Sequence, residues 1–332
     1  MPGRPEPKAY APLAALAAIV ALGLAAPGVI PAAQAAQTAP AECAVPAETS
    51  PVPALTPTLT PPTPTPIAYS DATPTASPVP PSPTATPDPE ELLADELAVV
   101  AMALARCLSE GEAETVVSLA TERYLGRLFG GGEPLSREAY LAVAPELDRV
   151  PVQIVSLNGV EREGQAAEAE VVSVVGNQLS RGRWRFVQAP RSEREAGTSA
   201  WRVDAEEALS VEPPRGATRL DVTLEEYAIS LDPATAGEEV VLRGSNLGAE
   251  DHEMLVLRFE DGLTTGDLLR ATGPGLPQGI TYVGQATVPA GAEAELVLTG
   301  LEPGAYTVVC LLPTNQGVPH LALGMAATFE VE

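Results

Sequence analysis

Apolar residues recur at three- and four-residue intervals after Asp88: Leu92, Leu93, Leu97, Val100, Leu104 and Leu108. That spacing lays one stripe along an α-helix. Asp88-Pro89-Glu90-Glu91 supplies an N-cap, a proline in the first turn and acids where the helix dipole favours them, and Gly111 ends the run. A second helix is predicted over Ala113–Phe129, stopped by Gly130-Gly131-Gly132, and a third over Ser136–Leu147. After Pro151 the period changes to two. Val152–Leu157, Ala167–Val175, Arg183–Val187 and Ala200–Val203 alternate or run apolar as strands do.

Composition shifts again at Pro213-Pro214-Arg215-Gly216, which marks a domain boundary. Strands are predicted over Arg219–Leu231, Glu239–Arg243, Met254–Phe259, Ile280–Val288, Ala294–Leu298, Tyr306–Leu312 and Ala326–Val331, separated by Gly, Pro and Asn. Seven short strands so punctuated make an all-β sandwich. Thr264–Ala271 reads as a short helix or an ordered excursion between strands.

The first 87 residues follow neither period. Arg4 and Lys8 precede Leu13–Ala26, fourteen residues without a charge, and Ala33-Gln34-Ala35 offers small residues where a leader is cut. A bilayer span needs ~20 apolar residues, so a signal peptide over 1–35 is expected. The alternative is an uncleaved membrane anchor extended to Ile30. Residues 36–87 are rich in Pro, Thr and Ser, as in Thr60-Pro-Pro-Thr-Pro-Thr-Pro66. With little apolar surface to offset ordering entropy, they are expected to be a disordered spacer. The chain is thus read as exported: secreted, or held at the cell surface or in the periplasm.

The formal charge of −25 and pI near 4.3 oppose nucleic-acid binding, which needs a cationic surface. They favour solubility, and faster encounter with a cationic partner protein. Three cysteines in an exported chain permit one disulfide, Cys43 with Cys107, if Cys310 is otherwise engaged, although Cys107 on its apolar helix reads equally as a buried free thiol. Between 88 and 212 there is no histidine and no Asp/His or Cys/His pair for proton or nucleophile work, so no enzyme is expected there. Trp184 and Trp201 read as core or pocket wall.

Candidate chemistry gathers near the C-terminus. Cys310, His320 and Met325 follow one another along a loop between two apolar runs, and the second of only two histidines, His252, lies upstream in Asn246-Leu-Gly-Ala-Glu-Asp-His252. Two His, one Cys and a weak axial Met are the donor set of a blue-copper site. Leu301-Glu-Pro-Gly-Ala-Tyr306-Thr-Val-Val-Cys310 has the Pro-Gly-x-Tyr strand that ends in a ligand cysteine. On these residues, ~216–332 resembles a cupredoxin, the plastocyanin and azurin family.

That resemblance implies a Greek-key sandwich holding one copper ion that cycles between Cu(I) and Cu(II). His252, Cys310 and His320 would lie in a plane with Met325 on the axis. A redox partner protein is then expected, and membrane contact only through an uncleaved leader. Helices followed by a curved meander over 88–212, with Arg183-Trp-Arg-Phe and Ala200-Trp-Arg-Val as paired strands, resemble the α+β NTF2-like cone.

Two features leave the site open. Nine residues separate Cys310 from His320, where cupredoxins usually have two to four. Lengthening such a loop from three to nine costs only ~1 kcal/mol, against a metal-site energy of about 10 kcal/mol; aim matters more than length. His252 is the other. Met254 and Val256 on its face of the strand are no more apolar than Leu255 and Leu257 on the opposite face, so alternation does not say which way it turns. A metal-free sandwich used for adhesion or assembly, and copper storage or delivery, are the alternatives.

Overall fold

The computed structural model describes residues 89–128, 133–190, 199–271 and 275–332. The expected leader, the Pro/Thr spacer, the Asp88 cap and Cys43 lie outside them. Among the described residues no helix is long and apolar enough to cross a membrane.

Helix α1 spans Pro89–Glu110 and closes at Gly111, as its stripe predicts. The expected second helix is instead two, α2 (Ala113–Leu119) and α3 (Glu122–Leu128). The break falls where the chain docks on a strand. Ala120 bridges Val203, Thr121 N donates to Val203 O at 2.9 Å, and Thr121 Oγ1 donates to Asp204. Helix α4 (Arg137–Val143) is capped by Ser136, and the Ala144–Glu146 turn follows in 3₁₀ form because Pro145 cannot continue an α-helix.

Four antiparallel strands come next: β1 (Val152–Glu163), β2 (Ala166–Val175), β3 (Gln178–Gln188) and β4 (Trp201–Leu209). Helices α1 to α3 cover one face, burying Leu97, Leu104, Leu125, Trp184, Phe186 and Trp201. Trp201 Nε1 donates to Glu96 on α1 at 3.0 Å, which ties that helix to β4. Cys107 is disulfide-bonded, and Cys310 is a free cysteine.

The C-terminal part is a two-sheet sandwich. One layer holds β5 (Thr218–Glu225), β6 (Ala228–Asp232), β8 (Val240–Asn246) and β11 (Glu293–Leu298), in the order β11-β8-β5-β6. The other runs β10-β9-β12-β13-β7. These strands are β7 (Thr235–Ala236), β9 (His252–Phe259), β10 (Ile280–Val288), β12 (Gly304–Val309) and β13 (Ala326–Val331). A short helix α5 (Thr265–Arg270) sits between β9 and β10 behind a capping box from Thr264 and Asp267. The stretch read as one strand over Arg219–Leu231 is two, because the chain turns at Glu226-Tyr227 with Tyr227 at φ 82.

The two parts meet through the β2–β3 hairpin. Leu298 of β11 pairs with Gln178 of β3, so the first layer runs across the compositional boundary. Asn177 N donates to Val283 O at 2.8 Å, and its side-chain amide donates to Thr299 O and Gly300 O. Gly176 sits at φ 62, and a Cβ there would stand 2.9 Å from Val283 O, so only glycine lets the tip come this close. The second layer is therefore covered twice. Met254 and Val256 face the sandwich interior, while Leu255, Leu257, Tyr282 and Val309 join the core under the helices. Both faces of β9 are apolar because both are buried.

Candidate metal centre

Strand β12 delivers the cysteine. Tyr306 and Val308 point into the sandwich interior, and Cys310 follows on the same face, fully buried. The nine-residue loop then folds back on itself. Pro313 bridges Pro319, Thr314 and Val318 close a turn around Gly317, His320 N donates to Leu312 O at 3.0 Å, and Leu321 N donates to Cys310 O at 2.8 Å. The additional residues form a small hairpin that projects from the sandwich and brings His320 back beside the cysteine. Loop length does not misaim the ring.

His252 opens β9, opposite Val288 of β10, and turns inward with Met254. Its Nδ1 lies 3.1 Å from His320 Nδ1, and His320 Nδ1 lies 3.4 Å from Cys310 Sγ. The three ligand atoms fall within 4.8 Å of one another, and all three residues are buried. Separations of 3.1 and 3.4 Å are spans that bonds of ~2.0 Å to nitrogen and ~2.3 Å to sulfur can bridge from one ion.

Met325 is buried too, at the end of the His320–Leu323 turn. Its N donates to His320 O at 3.2 Å, and its O accepts from Cys310 N at 3.3 Å, so its backbone is tied to both neighbours. Its side chain shares the interior cluster with Cys310.

Burial sets the protonation of the group. It pushes the Cys310 thiol up to about 12, with the nearby Glu253 carboxylate adding to the rise. Burial, and then the charge of His320, push His252 down, which favours neutral imidazole. A neutral ring has a free lone pair, and a cation must displace the thiol proton before sulfur can bind strongly. His252 Nε2 is buried without a hydrogen-bond partner. His320 Nε2 has the Glu250 carboxylate 3.0 Å away, off the line a ring N–H would need for a hydrogen bond, so Glu250 acts as a charge neighbour.

Residues besides the four candidate donors frame the site; of these the sequence motif held Asn246, while the roles of Tyr227, Glu253 and Gln285 were missed. The Tyr227 ring meets His320 edge-on at 5.0 Å, placed there by its left-handed backbone. Asn246 Nδ2 donates to Glu250 O and Val288 O, at 2.8 and 2.9 Å, which fixes the approach to His252. Glu253, one residue on and facing the other way, accepts from Leu311 N at 2.8 Å and from Gln285 Nε2. Gln285 N in turn donates to Gln178 Oε1 at 2.9 Å. This chain of contacts runs from the β2–β3 hairpin to the peptide after Cys310. The adjacent acids Glu225-Glu226 inside an expected strand are the one sequence signal that could have marked the turn at Tyr227.

The two features implied by the cupredoxin resemblance, a two-sheet sandwich and a Cys/His/His convergence inside it, are both present. No family model matches the sequence, and no curated protein matches it. Solved structures that align with the chain include auracyanin B, at 16% identity over 37% of this chain and 93% of that one, with a TM-score of 0.27. A multicopper oxidase from Campylobacter jejuni aligns at 11% identity over 54% of this chain, with a TM-score of 0.23. This chain covers 50% of that oxidase's length. A copper-containing nitrite reductase from Thermus scotoductus aligns at 10% identity over 41% of this chain and 37% of that one, with a TM-score of 0.21.

Proposed function

We propose that this protein binds a single copper ion through His252, Cys310 and His320, with Met325 as a fourth donor, and carries electrons one at a time. The observation that supports it is the convergence of two imidazole nitrogens and a buried sulfur within 4.8 Å, across strands far apart in sequence. Soft sulfur with neutral imidazoles suits copper in both oxidation states, whereas zinc prefers a closed tetrahedron without a thioether. Copper, when bound, supplies the one-electron couple.

The protein's part is rigidity and exclusion of water. All four side chains are buried, and the loop that carries His320 is held by backbone hydrogen bonds at both ends. A site that cannot relax reorganises little between oxidation states. Burial of all four donors favours an electron carrier over an oxidase or reductase that must admit a substrate. The helices and meander of 89–209 fit an NTF2-like scaffold. We place the protein outside the cytoplasm, meeting a redox partner whose surface is cationic.

The test is the full-length chain given Cu(II). Intense visible absorption from thiolate-to-copper charge transfer, with reversible one-electron cycling, is expected. A colourless protein that retains no copper would leave the metal-free assembly module; bound copper that does not cycle would point to storage.

A further inference from the structure

The part of the molecule that precedes the sandwich holds a second buried polar cluster, outside the copper site and independent of it. Four polar atoms between α3 and the meander are buried with no hydrogen-bond partner among the described residues: Tyr124 Oη, Arg127 Nε, Trp184 Nε1 and Glu206 Oε2. Such orphans are few in native structures, and several in one place call for a missing group. Glu206 is only 3% exposed, so bulk water does not serve it.

Arg127 and Glu206 also line a cleft of about 700 Å³, with Arg123, Arg183, Arg185 and Asp204 on its walls. Three of those four guanidiniums are already neutralised. Arg123 pairs with Asp204 at 3.3 Å, Arg183 with Glu207 at 3.7 Å, and Arg185 with Glu168 at 3.4 Å. Arg127 makes no ion pair among the described residues. The carboxyl its charge reaches is Glu206, which burial pushes up to about 7 and so towards the neutral acid. The Trp184 indole is near enough to draw that value down, but is not aligned for a hydrogen bond.

The balance of unmet valences gives the sign of the missing group. Arg127 Nε and Trp184 Nε1 can only donate, and the Tyr124 hydroxyl and a neutral Glu206 can each give a hydrogen. What is absent is an acceptor, and beside one uncompensated guanidinium it should carry one negative charge. A guanidinium presents a planar fork that matches a carboxylate. Val187, Ala205 and Ala208 on the same walls offer apolar contact for a short hydrocarbon part. We propose that this cleft binds a small organic monocarboxylate, anchored at Arg127.

Titration calorimetry on the full-length protein tests it, with propionate, benzoate and inorganic phosphate as the probes. Saturable one-to-one binding of a monocarboxylate is expected, with phosphate at least tenfold weaker. Arg127→Gln should weaken binding tenfold or more, and Arg127→Lys should restore part of it by returning the charge without the fork. Circular dichroism and the visible copper band of each variant report folding and the distant site, and both should be unchanged. No saturable heat from propionate or benzoate, equal affinity for phosphate, or unaltered binding in a folded Arg127→Gln protein would each overturn the assignment.

Discussion

The two buried polar clusters differ in which half of the hydrogen bond they lack. Around Cys310 the buried atoms are lone-pair carriers, two ring nitrogens and a sulfur, drawn together until they crowd. Around Glu206 the unmet atoms can all give hydrogens when that carboxyl is protonated, beside a guanidinium with no ion pair among the described residues. The first arrangement invites a cation and the second an anion. Burial acts on both, yet with opposite use: it keeps His252 neutral so that its lone pair is free, and it biases Glu206 towards the acid, a donor.

The largest expected effect removes the first cluster's sulfur. Cys310→Ser should abolish the visible copper band and cost more than the 10–100-fold in affinity that an outer contact typically costs. Equilibrium dialysis with a Cu(I) chelator reads the affinity.

Next in size is a pH effect from the second cluster. Folding raises Glu206 from 4.5 to about 7, so between those values the folded chain holds a proton that the unfolded chain has lost. Stability is then fully present below pH 4.5 and falls as pH rises through about 7, by up to about 3 kcal/mol from this group. Urea midpoints across that window should fall in the parent protein and flatten in Glu206→Gln. Burial raises Glu253 and Asp148 in the same direction, so some slope will remain.

Glu253→Leu should cost about 1–3 kcal/mol, because Leu311 N–H and the Gln285 amide lose their buried acceptor. Urea denaturation of the copper-free protein measures it. Gln178→Ala should cost about 1 kcal/mol and leave the copper band in place with a small shift in wavelength. An unshifted band would show that the hairpin and the thiolate are uncoupled.

The order of the candidate donors was legible in the sequence, and so was the strand that ends in Cys310, because a thiol, the chain's two histidines and a thioether stand out in a sandwich-like pattern. The aim of His320 was not. It depends on Thr314 and Val318 closing a turn and on Leu321 returning to Cys310, which are backbone hydrogen bonds that composition does not record. The orientation of His252 was hidden because apolar residues on both faces of β9 erase the alternation that tells inside from outside. The break at Thr121 was hidden because Val203, some eighty residues on, makes it. The strands β10 and β13 were read to their ends, since Gly and Pro punctuate them locally.

Docking of the β2–β3 hairpin has a practical consequence for anyone who would trim the protein. Residues 213–332 look like a separable module, but a cut there would strip the cover from Leu255, Leu257, Tyr282 and Val309. The fragment would present a greasy flank to water and an unclaimed sheet edge at β11, the kind of surface that sticks to its own copies. Clumping of that fragment would report the amputation, and the copper chemistry is better judged in the uncut chain.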